Sequence, residues 1–210
     1  MKDIQAWDLF SKESLSQESL EDWGQWFHQK TEDESPKILV GYSFGGRLAL
    51  HALIQNPEAW CGAVLISTNP GLTSVFEKQM RLEQDRNWAK KFLTDPWELL
   101  MNDWNNQSVF QSSFVSRREQ DYERGDLHRA LTQWSLGHQE NLRSVISQIP
   151  IPILWVNGEL DTKFRKLSES LTLSHPKSRF CIAPQVGHRI ISAKQEFFVK
   201  ALTEFKEALC

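Results

Sequence analysis

The stretch Lys37-Ile38-Leu39-Val40-Gly41-Tyr42-Ser43-Phe44-Gly45-Gly46 decides the fold of this chain. Its first six residues form a short apolar run that predicts a buried strand, and residues 47–55 (RLALHALIQ) predict a helix. Between them stands a G-x-S-x-G motif. In this context the motif predicts a sharp strand-to-helix turn that raises the Ser43 hydroxyl above the edge of a sheet.

Each residue type in the motif suits a nucleophilic turn. Gly41 and Gly45 have no Cβ, so we expect them to let the chain pass closely over itself on either side of Ser43. The Phe44 N–H would lie at a helix N-terminus, where it can stabilise a developing anion as part of an oxyanion hole. The alternative is a tight glycine-rich turn with a passive serine, and the flanking strand and helix favour the nucleophile.

Further apolar runs predict a sheet of five strands. These runs are apolar on both faces rather than alternating, which is typical of parallel strands covered on both sides. Helices predicted at residues 166–174 and 196–209 follow the last two strands. The alternation of strands and helices indicates a doubly wound, mostly parallel α/β fold. Besides residues 37–42, the predicted strands are residues 4–9, 61–67, 151–158 and 179–183.

The segment between residues 69 and 148 has no strand-like run. At about 80 residues it is too long for a simple strand crossover. We expect a helical cap at residues 69–148, inserted in a core formed by residues 1–68 and 149–210. Several of the nine tryptophans fall in this cap and are expected to form a pocket wall. The cap helices are predicted at residues 77–92, 96–103, 117–122 and 127–139.

Length and composition exclude several classes of protein. The chain has 210 residues, of which 40% are hydrophobic and 24% charged, and a formal net charge of −3. A nucleic-acid-binding protein would normally carry a basic excess, and no apolar run approaches the ~18 residues of a membrane-spanning helix. No secretory signal is visible, and the three cysteines have no metal spacing. We therefore expect a cytoplasmic protein with free thiols, no metal and no nucleic-acid partner.

A nucleophilic serine needs a histidine and an acid, and two later loops supply them. Asp161 follows the predicted strand at residues 151–158, and His188 follows the one at residues 179–183. Both loops open at the carboxyl edge of the sheet, in the chain order serine, acid, histidine. We expect His188 to deprotonate Ser43 and Asp161 to orient the imidazole, with Glu159 as a competitor for the acid. The other histidines are interpreted as surface or satisfied residues: His28, His51, His128, His138 and His175.

These motifs resemble a branch of the α/β-hydrolase superfamily, the 2-succinyl-6-hydroxy-2,4-cyclohexadiene-1-carboxylate synthases (MenH-like) of menaquinone biosynthesis. The similarity covers most of the chain, from about residue 38 to residue 188. It is carried by GYSFGGRLAL at residues 41–50, by the cap pattern around Trp88 and Trp104, and by GELDTKF at residues 158–164. The resemblance implies an α/β-hydrolase fold and a lyase without a cofactor. In that reaction the triad removes a proton from a cyclohexene carboxylate, and pyruvate is eliminated.

The resemblance also implies roles for individual residues. Ser43, Asp161 and His188 match the triad. Substrate-binding roles are implied for Tyr42, Arg47, Arg81 and Trp104. A further arginine is expected in the second part of the cap, where Arg117, Arg118 and Arg124 give no clean match and Arg118 is the candidate. The chemistry supports Arg47 independently, because a guanidinium one helical turn past the serine can hold a carboxylate in a bidentate pair.

The chain differs from this family before the nucleophile. The residues before the nucleophile strand are enough for only one further strand, whereas the fold usually has three or four strands before the nucleophile. Phe10-Ser11-Lys12 stands where the family commonly has a Pro-Gly-His-Gly loop. Loss of the second oxyanion N–H would cost about 10²–10³ in rate. We therefore expect an N-terminally shortened fold. The chain is then a shortened form of a longer enzyme, a weakly active relative or a degenerate non-catalytic protein. An open sheet edge would promote association, so monomer and homodimer both stay open.

Two alternative functions stay open. A serine carboxylester or thioester hydrolase, for example one acting on an acyl-carrier methyl ester, would use the same triad. A non-catalytic ligand-binding or interaction module would not need it. A pocket lined by Arg47 and Arg81 favours the lyase and a small carboxylate substrate, whereas an apolar tunnel favours the esterase.

Overall fold

At the centre of the protein lies a sheet of four parallel strands, in the order β1-β2-β3-β4. The computed structural model describes residues 4–32, 37–110 and 114–209. The strands are β1 (Ile38–Tyr42), β2 (Gly62–Ile66), β3 (Ile153–Gly158) and β4 (Arg179–Ala183). Tyr42 pairs with Ile66, and Ile66 with Val156, so the carboxyl ends of the strands lie along one edge of the sheet.

Helices cover both faces of the sheet. Leu65 and Trp155 pack with α2 and α3 on one face, and Ile66 and Val156 pack with α10 on the other. This cover explains why every residue of β2 and β3 is buried, and it confirms the predicted doubly wound parallel sheet. The helices are α1 (Lys12–Leu15), α2 (Leu20–Lys30), α3 (Phe44–Gln55), α4 (Val75–Thr94), α5 (Trp97–Asn105), α6 (Arg124–Gln133), α7 (Arg143–Ile146), α8 (Thr162–Glu169), α9 (Ile190–Ala193) and α10 (Gln195–Leu209).

The strand predicted at residues 4–9 is wrong. This segment is irregular, and β1 is the first strand in the described residues. The Trp7 ring packs edge-on against Trp26 and Phe27 of α2, while Ile4 is 78% exposed. The Phe10 N–H then donates to the Asp8 carboxylate at 2.9 Å and turns the chain. The apolar residues of this segment therefore anchor it to a helix rather than extend the sheet.

The segment between β2 and β3, called the helical segment below, contains α4 to α7 and no strand among its described residues. Phe92, Trp97, Leu100 and Met101 form a small apolar cluster of its own. Two predicted helices here are wrong in extent. The one at residues 117–122 is a single 3-10 turn, Glu119–Asp121, and the one at residues 127–139 ends at Gln133. After β3, the predicted helix at residues 166–174 instead begins at Thr162, because Asp161 caps it.

Helices α2 and α3 pack closely together at His51. A Cβ on Gly24 of α2 would lie 2.7 Å from the His51 carbonyl carbon, so only glycine lets α2 lie this near α3. His51 is buried, and its Nε2 has no hydrogen-bond partner, which contradicts the interpretation of a surface or satisfied residue. Burial, followed by the positive charge of Arg47, lowers the pKa of His51 to about 4. The Glu21 carboxylate lies 3.4 Å from Nδ1 but is half exposed, so water screens its effect.

This buried imidazole predicts a loss of stability in acid. The unfolded chain takes up a proton at His51 near its ordinary pKa of 6.5, whereas the folded chain resists protonation down to about 4. The free energy of unfolding therefore decreases as the pH falls through this interval. Between about pH 7.5 and about pH 5, wild type should lose about 2 kcal/mol more unfolding free energy than His51→Gln. Urea unfolding at both pH values measures the difference.

The matched control is His138→Gln, because the His138 side chain is exposed. Its unfolding free energy should follow that of wild type across the same interval. Parallel pH dependences of wild type and His51→Gln would show that His51 is not the group responsible.

Candidate active site

Ser43 lies on a strained turn between β1 and α3. Its φ and ψ are 50° and −109°, and a positive φ is costly for a residue that carries a Cβ. The Ser43 N–H donates to the Ile66 carbonyl at 2.8 Å, which ties the turn to the end of β2. A Cβ on Gly41 would lie 2.6 Å from the Cβ of Ala49, so the chain crosses itself too closely there for any side chain. The strained strand-to-helix turn agrees with the motif.

The second glycine that the turn requires is Gly46 rather than Gly45. A Cβ on Gly45 would meet only Leu9 Cδ1, at 3.4 Å, which is an ordinary contact distance. A Cβ on Gly46 would lie 2.0 Å from Thr68 Oγ1. The prediction that Gly45 is needed for close passage of the chain is therefore wrong. The constraint comes from Thr68, just after β2, and the motif itself does not include that residue.

Ser43, His188 and Asp161 form a hydrogen-bonded chain. Ser43 Oγ lies 2.7 Å from His188 Nε2, and His188 Nδ1 lies 2.7 Å from Asp161 Oδ2. Asp161 and His188 are both buried. In this arrangement the imidazole can accept the serine proton while the carboxylate fixes its tautomer and stabilises its charged form.

Local contacts separate Asp161 from its competitor. Asp161 is the N-cap of α8, and its Oδ1 accepts the Phe164 N–H at 3.4 Å, which leaves Oδ2 for His188. Glu159 is exposed, and its carboxylate accepts the Gln185 N–H at 2.7 Å. Glu159 therefore joins the loops after β3 and β4 on the outside, and the structure brings Asp161 to the imidazole.

Three aromatic rings surround the His188 imidazole. The ring centroids of Phe164, Tyr42 and Phe110 lie 4.5, 5.6 and 5.8 Å from that of His188. Burial raises the pKa of Tyr42 to about 12, so its hydroxyl stays protonated and can donate to a ligand. The Trp104 ring packs against the Phe110 ring, with their centroids 6.0 Å apart.

The Phe44 N–H lies in the first turn of α3, where backbone N–H groups have no acceptor within the helix. This agrees with its predicted place in an oxyanion hole. The Phe10 ring stacks on the Phe44 ring at 6.5 Å, but the Phe10 N–H is bonded to Asp8. The loop at residues 10–12 therefore does not offer that N–H to Ser43.

Arg47 is held between α3 and the helical segment. Its side chain is 6% exposed, and its Nη2 and Nη1 donate to the Trp134 carbonyl at 2.8 Å and to Gln139 Oε1 at 3.4 Å. Both acceptors are neutral, and Arg47 takes part in none of the ion pairs among the described residues. Burial, followed by the positive charge of Arg81, lowers the pKa of Arg47 well below its ordinary value. A bound anion would relieve that cost.

The other two predicted arginines lie in different surroundings, Arg81 near Arg47 and Arg118 at the surface. Arg81 is near enough to Arg47 to affect its pKa, and its Nε donates to both oxygens of the buried Asp85 at 2.8 Å. Arg118 is 72% exposed and pairs with Asp121 at 2.9 Å. Arg118 thus points to solvent and is not brought together with the triad.

Sequence reasoning gave no role to three residues at this site, of which Gln139 and Arg189 are buried and Phe110 is partly buried. Gln139 orients Arg47, Phe110 contacts His188, and Arg189 lies directly after His188. Arg189 directly follows His188, and Phe110 belongs to the cap pattern that carries the resemblance, so these motifs are the signal that could have found them. No cluster of three or more His, Cys, Asp or Glu side chains suited to a metal occurs in the described ranges. Nor does any helix in these ranges have both the length and the apolarity to cross a membrane.

The surroundings of Gly45 and Gly46 predict that the two positions differ in their tolerance of alanine. Gly46→Ala should lower the free energy of unfolding by about 1–3 kcal/mol, since the new methyl group clashes with Thr68. Gly45→Ala should leave it unchanged or raise it by up to about 1 kcal/mol, because alanine favours a helix. Chemical denaturation of both variants measures this. Equal losses in the two would contradict the assignment of the close contact to Gly46.

The hydrogen-bonded chain predicts the reactivity of Ser43. A fluorophosphonate probe should label wild type but not Ser43→Ala. Asp161→Asn should slow labelling by up to about 10⁴-fold, because the imidazole loses the partner that fixes its tautomer. Glu159→Gln is the matched control and should label at the wild-type rate. Equal slowing in Asp161→Asn and Glu159→Gln would reject Asp161 as the acid.

Solved structures similar to this one share its architecture. The structure of MenH from S. aureus has a TM-score of 0.83 at 24% identity and covers 91% of this chain and 77% of its own. A thermophilic esterase from Thermogutta terrifontis, solved with malate bound, has a TM-score of 0.68 at 14% identity, with coverage of 91% and 73%. At these identities the likeness shows the fold alone.

Curated relatives have higher sequence identity. The 2-succinyl-6-hydroxy-2,4-cyclohexadiene-1-carboxylate synthase of Photorhabdus laumondii is 36% identical over 174 residues, which are 80% of this chain and 61% of the relative. The synthase of the same name from Escherichia coli O1:K1 is 34% identical over 157 residues, which are 71% and 60% of the two chains. The chain therefore spans about three fifths of the length of these relatives. A family model described as the alpha/beta hydrolase fold matches residues 5–192. With most of its length matched, the chain belongs to the α/β-hydrolase fold family.

Proposed function

We propose that the protein is a lyase that eliminates pyruvate from a succinyl-cyclohexene carboxylate intermediate of menaquinone biosynthesis. The relatives named as 2-succinyl-6-hydroxy-2,4-cyclohexadiene-1-carboxylate synthases support this reaction. The observation that carries the proposal is the buried guanidinium of Arg47, four residues after Ser43, with only neutral oxygen acceptors. Such a group suits a substrate that brings its own carboxylate.

The positions of Arg47 and Arg81 fit an anion with more than one carboxylate. Arg81 is already partly neutralised by Asp85, which in turn accepts the Ser135 hydroxyl at 2.6 Å. Arg47 forms no ion pair among the described residues, and the effect of Asp85 on it is weaker than those of burial and Arg81, so Arg47 is the stronger anchor. Tyr42 adds a protonated hydroxyl beside His188, and Trp104 with Phe110 supplies an apolar wall for a six-membered ring.

The triad then acts as a base. Ser43 gives its proton to His188 Nε2 and takes a C–H proton from the substrate ring. The electron pair of that bond forms the new double bond of the diene, and the carbon–oxygen bond to the enolpyruvyl group breaks. The leaving enolate takes the proton from the His188 imidazolium and becomes pyruvate, which returns His188 to its neutral form. Asp161 stabilises the imidazolium throughout.

This chemistry suits a site with one candidate oxyanion donor. Proton removal forms no acyl-enzyme and no tetrahedral intermediate at Ser43, so it depends less on a second N–H than ester hydrolysis does. In this proposal, residues 69–148 cap a core of residues 1–68 and 149–210 and keep water from the base. The reaction needs no cofactor, and we place it in the cytoplasm, with a small carboxylate as the binding partner.

The proposal predicts how Arg47→Met affects two substrates. For the succinyl-cyclohexene carboxylate, kcat/KM for pyruvate release should fall about 10²-fold, because a buried charge-assisted pair is lost. Hydrolysis of a neutral aryl ester should change much less. Pyruvate is measured with a coupled lactate dehydrogenase assay, and the ester by absorbance.

The control is Arg129→Met, since Arg129 is an exposed arginine on α6. It should behave as wild type with both substrates. Equal losses on both substrates in Arg47→Met would reject the carboxylate role of Arg47. Ester hydrolysis without pyruvate release by wild type would instead identify a serine hydrolase.

A further inference from the structure

Arg189, the residue after His188, is buried and reaches from the core to the helical segment. It is 4% exposed. Its Nη2 donates to Asn105 Oδ1 at 2.9 Å, and its Cζ lies 4.2 Å from the centroid of the Phe110 ring. The proposed elimination assigns no task to this residue. Burying an arginine is costly, so its contacts need an explanation.

The Asn105 end of this contact is rigid. Asn105 is buried at the last position of α5, and its Nδ2 donates to the Met101 and Val115 carbonyls at 2.8 and 3.1 Å. Its Oδ1 also accepts the Val115 N–H at 3.2 Å. The asparagine is thus fixed by the backbone on both sides, and the guanidinium of Arg189 is held against it.

Phe110 lies between the Arg189 guanidinium and the His188 imidazole. The Arg189 guanidinium lies over the face of the Phe110 ring, where the ring quadrupole attracts a cation. The same ring lies edge-on to the His188 imidazole, with centroids 5.8 Å apart and planes at 62°. Arg189 therefore connects to His188 twice, once through the peptide chain and once through Phe110.

We propose that Arg189 is a positioning residue that fastens the helical segment onto His188 by holding Phe110 against the imidazole. Fixing Phe110 there limits the orientations of the ring and keeps Nε2 directed at Ser43. Phe110 belongs to a short 3-10 turn, Ser108–Phe110, and its N–H donates to the Gln107 carbonyl at 2.8 Å. That bond fixes the backbone, whereas the side-chain ring is held between the Trp104 ring and the Arg189 guanidinium. The inference rests on the role of the triad in the proposed function, and not on the identity of the substrate.

The test measures labelling of Ser43 by diisopropyl fluorophosphate, a small probe with no carboxylate for Arg47 to bind. Arg189→Met and Phe110→Leu should each slow labelling about tenfold, because the base is less well aligned. The double variant should also be slowed only about tenfold, since both changes break one contact. Arg189→Lys keeps a cation over the ring and should label within about threefold of wild type.

Hydrogen exchange provides the structural readout. In Arg189→Met the amides of residues 105–110 should exchange faster, while those of β2 and β3 keep their protection. Arg129→Met again serves as the control and should change neither labelling nor exchange. If Arg189→Met fails to fold, Phe110→Leu and Arg189→Lys still decide the matter, since the first must slow labelling and the second must largely preserve it.

The outcomes separate this inference from the proposed function. The role of Arg189 would be overturned if Arg189→Met labelled at the wild-type rate. It would also be overturned if the double variant labelled about a hundredfold more slowly than wild type, since the two changes would then act independently. Absence of pyruvate release by a wild type that labels normally would overturn the lyase proposal and leave the Arg189 result standing. Absence of labelling in the wild type would overturn both.

Discussion

The backbone of Ser43, with a φ of 50°, is the constraint on which the rest of the structure depends. A side chain in that conformation costs of the order of 1–3 kcal/mol, and it persists only where its surroundings fix it. Here β2 fixes it from one side, because Ile66 accepts the Ser43 N–H. The start of α3 fixes it from the other side, because glycines at 41 and 46 let α3 and Thr68 come within contact of the turn. The sheet thus holds one hydroxyl in a position that an isolated turn would not keep.

Strand β2 supports the site although it carries no member of the triad. Ser67, just after this strand, also has a positive φ, of 45°. Its N–H donates to the Val156 carbonyl at 2.8 Å, and its hydroxyl donates to the His188 carbonyl at 3.1 Å. The central strand therefore holds the serine turn through Ile66 and the histidine loop through Ser67. This shared support holds near each other the two segments whose Ser43 Oγ and His188 Nε2 lie 2.7 Å apart.

Local signals were sufficient to predict the parallel sheet, the turn at Ser43 and the loops of Asp161 and His188. Each of them depends on residues adjacent in sequence. The strand predicted at residues 4–9 failed because an apolar run does not distinguish a strand from an irregular segment anchored by Trp7. Gly45 and Gly46 could not be told apart because Thr68, about 20 residues away, decides between them. The neutral partners of Arg47 lie 87 and 92 residues away, and no local pattern indicates them.

The helical segment contacts two arginines of the core. Arg47 follows the serine by one helical turn and is bound by Trp134 and Gln139, while Arg189 follows the histidine and is bound by Asn105 and Phe110. These four residues contact the guanidinium groups through neutral atoms, so they orient the groups without adding negative charge. In the proposed function the charge of Arg47 is left for a carboxylate of the substrate, whereas the guanidinium of Arg189 lies over the Phe110 ring. Through these contacts the helical segment fixes the two guanidinium groups that follow Ser43 and His188 in sequence, so its packing on the core affects the charges near the triad.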